Sequence, residues 1–117
     1  MMTTLNANLI ALIKQIIARM VAGDFDAVEQ QAGGVRLSAA EMAAAVNNYG
    51  RTLTMPPDAA FTNLDTIVVS NAPYPTWSIR VDLWTLEEGR SDLTLECTVI
   101  EKGNDDLVLE IDDLHVL

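Results

Sequence analysis

From Trp77 to Val116 the chain alternates apolar and polar residues in three runs, broken at Glu87-Glu88-Gly89 and at Lys102-Gly103-Asn104. Alternation of period two with short glycine-bearing breaks predicts an antiparallel three-stranded meander. One parity is apolar: Trp77, Ile79, Val81 and Leu83, then Leu93, Leu95, Cys97 and Val99, then Leu107, Leu109 and Ile111. That side needs a cover, and the first half of the chain is the available partner.

The first half reads as helices. Apolar residues recur every three or four positions from Leu5 to Val21, which predicts a broad-faced amphipathic helix. Gly23 is placed to end it, Asp24 to cap a second helix from Phe25 to Gln31, and Gly33-Gly34 to stop that one. Ser38 and Glu41 form a capping-box pattern that opens a third helix, Ala39 to about Asn48, ended by Gly50. Five alanines in it leave little bulk, so it can approach its neighbours closely. Between Arg51 and Pro75 lie all four prolines and one convincing strand run, Thr66 to Ser70, which predicts loop, strand and loop. The expected architecture is one α+β domain over residues 1–117, with N-terminal helices packed on a C-terminal antiparallel meander of three to four strands.

Turn geometry gives a register. A three-residue loop Glu87-Glu88-Gly89, with Gly89 left-handed in a G1 bulge, pairs Leu86 with Arg90. Arg80 then faces Glu96, Asp82 faces Thr94, and Trp84 faces Asp92. The same loop length at Lys102-Gly103-Asn104 sets Glu110 beside Glu96 and Asp112 beside Thr94. The outer face so drawn carries five carboxylates around Arg80, an arrangement that solvent, a cation or a basic partner would relieve. Trp84, a large aromatic on a polar face, suits an interface anchor. A shift of apolar parity from Ile111 to Leu114 and Val116 implies a bulge near His115.

Charge narrows the partners. With 17 acidic residues against 7 basic ones the net charge is −10, which opposes binding to nucleic acid or to an anionic membrane. Cys97, the single cysteine, falls on the apolar parity and reads as a small buried hydrophobe. The first residues lack a basic flank, and Lys14 and Arg19 interrupt the apolar run, so no signal peptide or membrane span is expected and a cytoplasmic location is.

Candidate chemistry is sparse. His115 is the single histidine, which excludes multi-histidine metal sites, and the twelve-residue calcium-loop spacing is absent. No metal or cofactor is expected. Ser91 sits in a turn without an elbow motif, Gly33-Gly34 belongs to no phosphate-binding pattern, and Arg90 beside Glu87, Glu88 and Asp92 reads as a turn-fixing residue. An acid–base role for His115 would need a pocket beside it, with Asp112 or Asp113 to orient the ring.

The string Val81-Asp82-Leu83-Trp84-Thr85-Leu86-Glu87-Glu88-Gly89-Arg90-Ser91-Asp92-Leu93-Thr94-Leu95-Glu96, with the closing Ile111-Asp112-Asp113-Leu114-His115-Val116-Leu117, resembles a family of small acidic bacterial proteins without an assigned activity. The resemblance implies a bacterial source. The order of helices, irregular strand and long meander is similar to the cystatin-like or nuclear-transport-factor-2-like architecture, which implies a curved sheet wrapping a long helix and includes both pocket enzymes and non-catalytic binding domains.

Two functions follow as expectations. The first is a non-catalytic interaction domain that binds a protein partner or its own copy through the acidic face, at Trp84, Asp82, Glu96, Asp92, Glu110, Asp112 and Arg80; immunity-type inhibition of a basic toxin is one instance. The alternative is a small pocket enzyme or ligand-binding domain using Asp112, Asp113 and His115 with Tyr49 or Tyr74. A pocket lined by helix and sheet residues favours the second, and a flat acidic face favours the first.

Overall fold

The computed structural model describes residues 7–34, 36–62, 64–103 and 106–116. Three helices, α1 (Ala7–Val21), α2 (Phe25–Gln31) and α3 (Ala39–Tyr49), precede five strands: β1 (Leu53–Thr54), β2 (Asp65–Val68), β3 (Thr76–Thr85), β4 (Gly89–Glu101) and β5 (Leu107–Val116). The chain is therefore α+β, with its helices N-terminal to an antiparallel sheet. Leu5, Asn104 and Leu117, which entered the sequence reading, lie outside the described residues.

The helix ends form where the capping residues stand. Asp24 accepts from the Ala27 N–H at 3.3 Å. Ser38 accepts from Glu41 N–H at 3.1 Å while the Glu41 carboxylate accepts from Ser38 N–H at 2.9 Å, closing the capping box. Gly23 and Gly50 take φ of 77° after their helices, a left-handed conformation in which a side chain would be strained.

Burial follows the two periodicities. α1 buries Leu9, Ile13, Ile16, Ile17 and Met20, α2 adds Val28 and α3 adds Met42. Against them the sheet places Ile79, Val81, Leu83, Leu93, Leu95, Cys97, Val99, Leu109 and Ile111, all buried. Trp77 and Leu107, at the ends of that parity, are partly buried against the same core.

The region from Arg51 to Pro75 departs from expectation. It holds two strands and, between them, a 3-10 turn over Asp58–Phe61. β1 and β2 lie in succession along one edge of β3, through Leu53↔Thr85 and Thr54↔Trp84, then Asp65↔Arg80 to Val68↔Trp77. β5 forms the other edge of the sheet. A two-residue strand has no period to read, so β1 was silent in the sequence.

The strand register is right in the interior of the first hairpin and shifted elsewhere. Arg80↔Glu96 and Asp82↔Thr94 pair as expected, but Trp84 faces Arg90 instead of Asp92, and Thr85 pairs with Gly89. The loop is Leu86 to Glu88, and the surplus residues of β4 are taken up opposite Leu83. There Ser91, buried in the strand and not in a turn, donates its hydroxyl to Leu83 C=O at 2.7 Å and accepts from Leu93 N–H at 3.2 Å. In the second hairpin the connection is longer, with Glu101 paired to Leu107. Glu110 consequently faces Thr98, not Glu96. A bulge at Asp112 then sets Asp113 against Glu96 and His115 against Thr94, so Asp112 does not sit beside Thr94.

Candidate functional site

The 3-10 turn is held in place by its own residues. Phe61 is buried in the core, the Lys14 ammonium of α1 lies 5.2 Å from the centre of its ring, and Lys14 also pairs with Asp58 at 3.3 Å. Asp58 is almost fully exposed, so that ion pair contributes little; the buried ring is the anchor. With Phe61 turned inward, Ala59 and Ala60 face a recess of about 480 Å³ on the outer side of β3, floored by Arg80, Val81, Asp82 and Trp84. Leu64, Asp65 and Arg90 complete its wall.

Backbone hydrogen bonding gives this recess a second property. Antiparallel strands bond alternate residues to each side. The Glu101 N–H to Pro75 C=O bond and the Trp77↔Val99 and Ile79↔Cys97 rungs place odd-numbered β3 residues in bonds to β4, so even-numbered ones face the opposite edge. Arg80 and Ser78 are opposite β2 residues, and Trp84 is opposite Thr54 of β1. Asp82 falls in the gap between the two strands, and among the described residues no hydrogen bond reaches its N–H or C=O. Among the described residues, a strand donor and acceptor therefore stand without a partner in the recess beside Trp84.

The Trp84 ring is set by the turn. Gly89 has φ of 76°, as its position requires, and a Cβ there would come 3.7 Å from the ring. The turn itself is tied down from outside: Glu87 accepts from both the N–H (2.8 Å) and the hydroxyl (2.9 Å) of Thr52. These bonds hold the Glu87 carboxyl below its ordinary range. Glu88 accepts from the Tyr49 phenol at 2.7 Å, and that bond raises the phenol above its usual value.

The expected acidic face is partitioned instead of shared. Asp82 accepts from the Thr94 hydroxyl at 3.2 Å and lies 4.0 Å from Arg90, so Arg90 joins the recess in place of a purely turn-fixing role. Glu96 is bonded to His115 Nε2 at 2.5 Å. Asp112 accepts from the Thr98 hydroxyl at 2.6 Å. Its other oxygen is 2.9 Å from Arg36 Nε but takes no aligned hydrogen bond, so that contact is an ion pair. Asp92 is exposed in the β4 irregularity, where its N–H donates to the Tyr49 oxygen at 3.2 Å. Of the expected interaction residues, the recess gathers Trp84, Asp82 and Arg80; Glu96, Asp92, Glu110 and Asp112 lie apart from it.

A second hollow, of about 280 Å³, lies between α3 and the ends of β4 and β5 and brings Tyr49 and His115 together with Ala45, Leu93 and Leu114. It is lined by helix and sheet, as the enzyme alternative requires. Its titratable groups are nevertheless engaged: His115 Nε2 is bonded to Glu96, Nδ1 lies 3.4 Å from the Asp113 carboxylate, and the Tyr49 hydroxyl is bonded to Glu88 and Asp92. Tyr74, Asp112 and Asp113 do not line it. Cys97 is buried in the sheet, and burial, with the Asp112 charge, pushes its thiol up to about 12, which removes it as a nucleophile at neutral pH. Among the described residues no group of three or more His, Cys, Asp or Glu side chains is placed to hold a metal ion, and no helix is long and apolar enough to cross a membrane.

The fold and recess define an α+β domain with helices on one face of an antiparallel sheet and an open recess on the other. The chain belongs to the family described as a domain of unknown function, DUF7668, whose model matches residues 17–117 and so takes in the sheet and the recess. No curated protein and no solved structure matches the chain.

Proposed function

We propose that this domain is a non-catalytic binding module that receives an extended segment of a protein partner in the recess beside Trp84. The N–H and C=O of Asp82, without a partner among the described residues, carry the reading: in the gap from Val81 to Leu83 they can bond one residue of an incoming chain, whose side chain then lies on the indole. The rim carries both signs of charge, Arg80 and Arg90 against Asp65 and Asp82, so it selects a mixed sequence and not simply a basic one. An immunity-type role in a bacterial cytoplasm is one setting that suits such a module. The pocket-enzyme alternative draws on the Tyr49–His115 hollow, but acid–base work there would first have to break the bond that His115 makes to Glu96.

Affinity capture from the native host with wild type and Trp84→Ala, followed by amide exchange on the isolated complex, tests this. The expected result is a partner retained by wild type and lost from the folded variant, with slowed exchange at the Asp82 amide. A partner held equally by both proteins would overturn the reading and move attention to the hollow at His115.

A further inference from the structure

We propose that the free edge of β2 is the docking site for a second copy of this chain, strand against antiparallel strand, which joins two sheets into one. This surface adjoins the Trp84 recess at Asp65, but the backbone groups it uses, those of Thr66 and Val68, are not part of that recess.

The hydrogen-bond phase defines what β2 offers. Val69 N–H donates to Thr76 C=O at 2.9 Å, in register with the Ile67↔Ser78 and Asp65↔Arg80 rungs. Asp65, Ile67 and Val69 therefore spend their backbone groups on β3, and those of Thr66 and Val68 point away from the sheet. No strand covers that edge among the described residues. Side chains match the backbone: Ile67 is 59% exposed, Val68 69%, Val69 39% and the nearby Tyr74 47%.

The two edges of the sheet are managed differently. β5 is long, yet a bulge at Asp112 interrupts it and Glu110, Asp112 and Asp113 line it, the usual devices that prevent edge pairing. β2 has no bulge, and Asp65 at its start is its one charged residue. From Thr66 to Ile79 the chain carries no charged residue at all, although its net charge is −10.

That charge pattern selects the occupant. Two copies repel each other over most of their surface, and the charge-free edge is where they meet without carboxylates opposed. Antiparallel pairing about a twofold axis at Ile67 sets Thr66 of each copy opposite Val68 of the other, so each free N–H finds a free C=O in a self-complementary contact. Ile67 then meets its own counterpart. Asp65 falls opposite Val69 of the other copy and not opposite a second carboxylate.

Sedimentation velocity of the full chain from low micromolar to about 1 mM covers the weak association that a short interface gives. The expected result is a concentration-dependent dimer for wild type. Val68→Pro removes an outward N–H without touching the bonds to β3, and Ile67→Lys places a charge on the axis; each should be monomeric throughout, while Val116→Lys on the β5 edge should dimerise like wild type. As a readout that does not depend on the variants folding, the Thr66 and Val68 amides of wild type should exchange more slowly as its concentration rises. A wild-type monomer at 1 mM, a variant at Val68 or Ile67 that still dimerises, or exchange at those amides that ignores concentration would each overturn the proposal.

Discussion

The two faces of this sheet are built by different means. The inner face is apolar and sealed by α1, and Ile79, Leu95, Cys97 and Val99 there have no exposed surface. The outer face is held by side-chain bonds that cross strands or reach in from loops: Thr94 to Asp82, Thr98 to Asp112 with Arg36, and His115 to Glu96. Burial is non-directional and survives a two-residue shift, which keeps each side chain on its face, whereas these bonds depend on the particular register and hence on where each strand bulges. The outer face is thus the more sensitive reporter of strand alignment, and the inner face the larger source of stability.

Mutations should separate the two. The largest effect is expected on the inner face: Leu95→Ala removes a fully buried side chain and should cost about 2–5 kcal/mol through lost burial and a residual cavity. Denaturant melts with an unchanged slope measure it, and a loss smaller than that of any outer-face change would invert the comparison. Next comes Asp112→Ala on the outer side, which strands the Thr98 hydroxyl and the Arg36 guanidinium and should cost about 1.5–3 kcal/mol, with Asp112→Asn losing less because an acceptor remains. Equal losses in the two variants would show that charge, not hydrogen bonding, holds this edge.

The smallest effect concerns the turn where the faces meet. Because the Thr52 N–H and hydroxyl depress the Glu87 carboxyl in the folded chain, the stabilisation is full above the unfolded carboxylate value and is lost as pH falls through the folded one. Wild type should therefore melt slightly higher than Glu87→Gln at neutral pH, and the two curves should converge under acid. A gap that persists at low pH would assign the effect to packing of the turn.

How much of this was legible follows from the same contrast. The inner face could be read because side chains alternate by covalent geometry, and apolar parity survives the two-residue errors in pairing at Trp84 and Glu110. The helix boundaries could be read at Asp24, Ser38–Glu41 and Gly50 because caps act within one turn of chain. In the first hairpin the Arg80 and Asp82 rungs came out correctly, but the irregularity at Ser91 did not, since a serine that bridges a strand defect looks like a serine in a turn. The parity shift after Ile111 did announce the Asp112 bulge. The Arg36 contact could not be found, because a loop reaching across from the helices leaves no local pattern. The recess escaped for the same reason: its wall is a 3-10 turn that leaves no periodic pattern.

The link between β1 and β2 has a bearing on how such chains diversify. Both strands pair with the same edge of β3, so the described residues joining them, 55 to 62 and 64, lie outside the strand pairings with Pro56 and Phe61 as buried tethers. Length and sequence here can drift while both pairings and the inner layer stay intact, as surface connections generally allow. Ala59, Ala60 and Leu64 sit on that stretch. Chains of this fold that keep Pro56, Phe61 and Leu64 against the core can therefore carry differently shaped recesses through changes at the exposed positions between them.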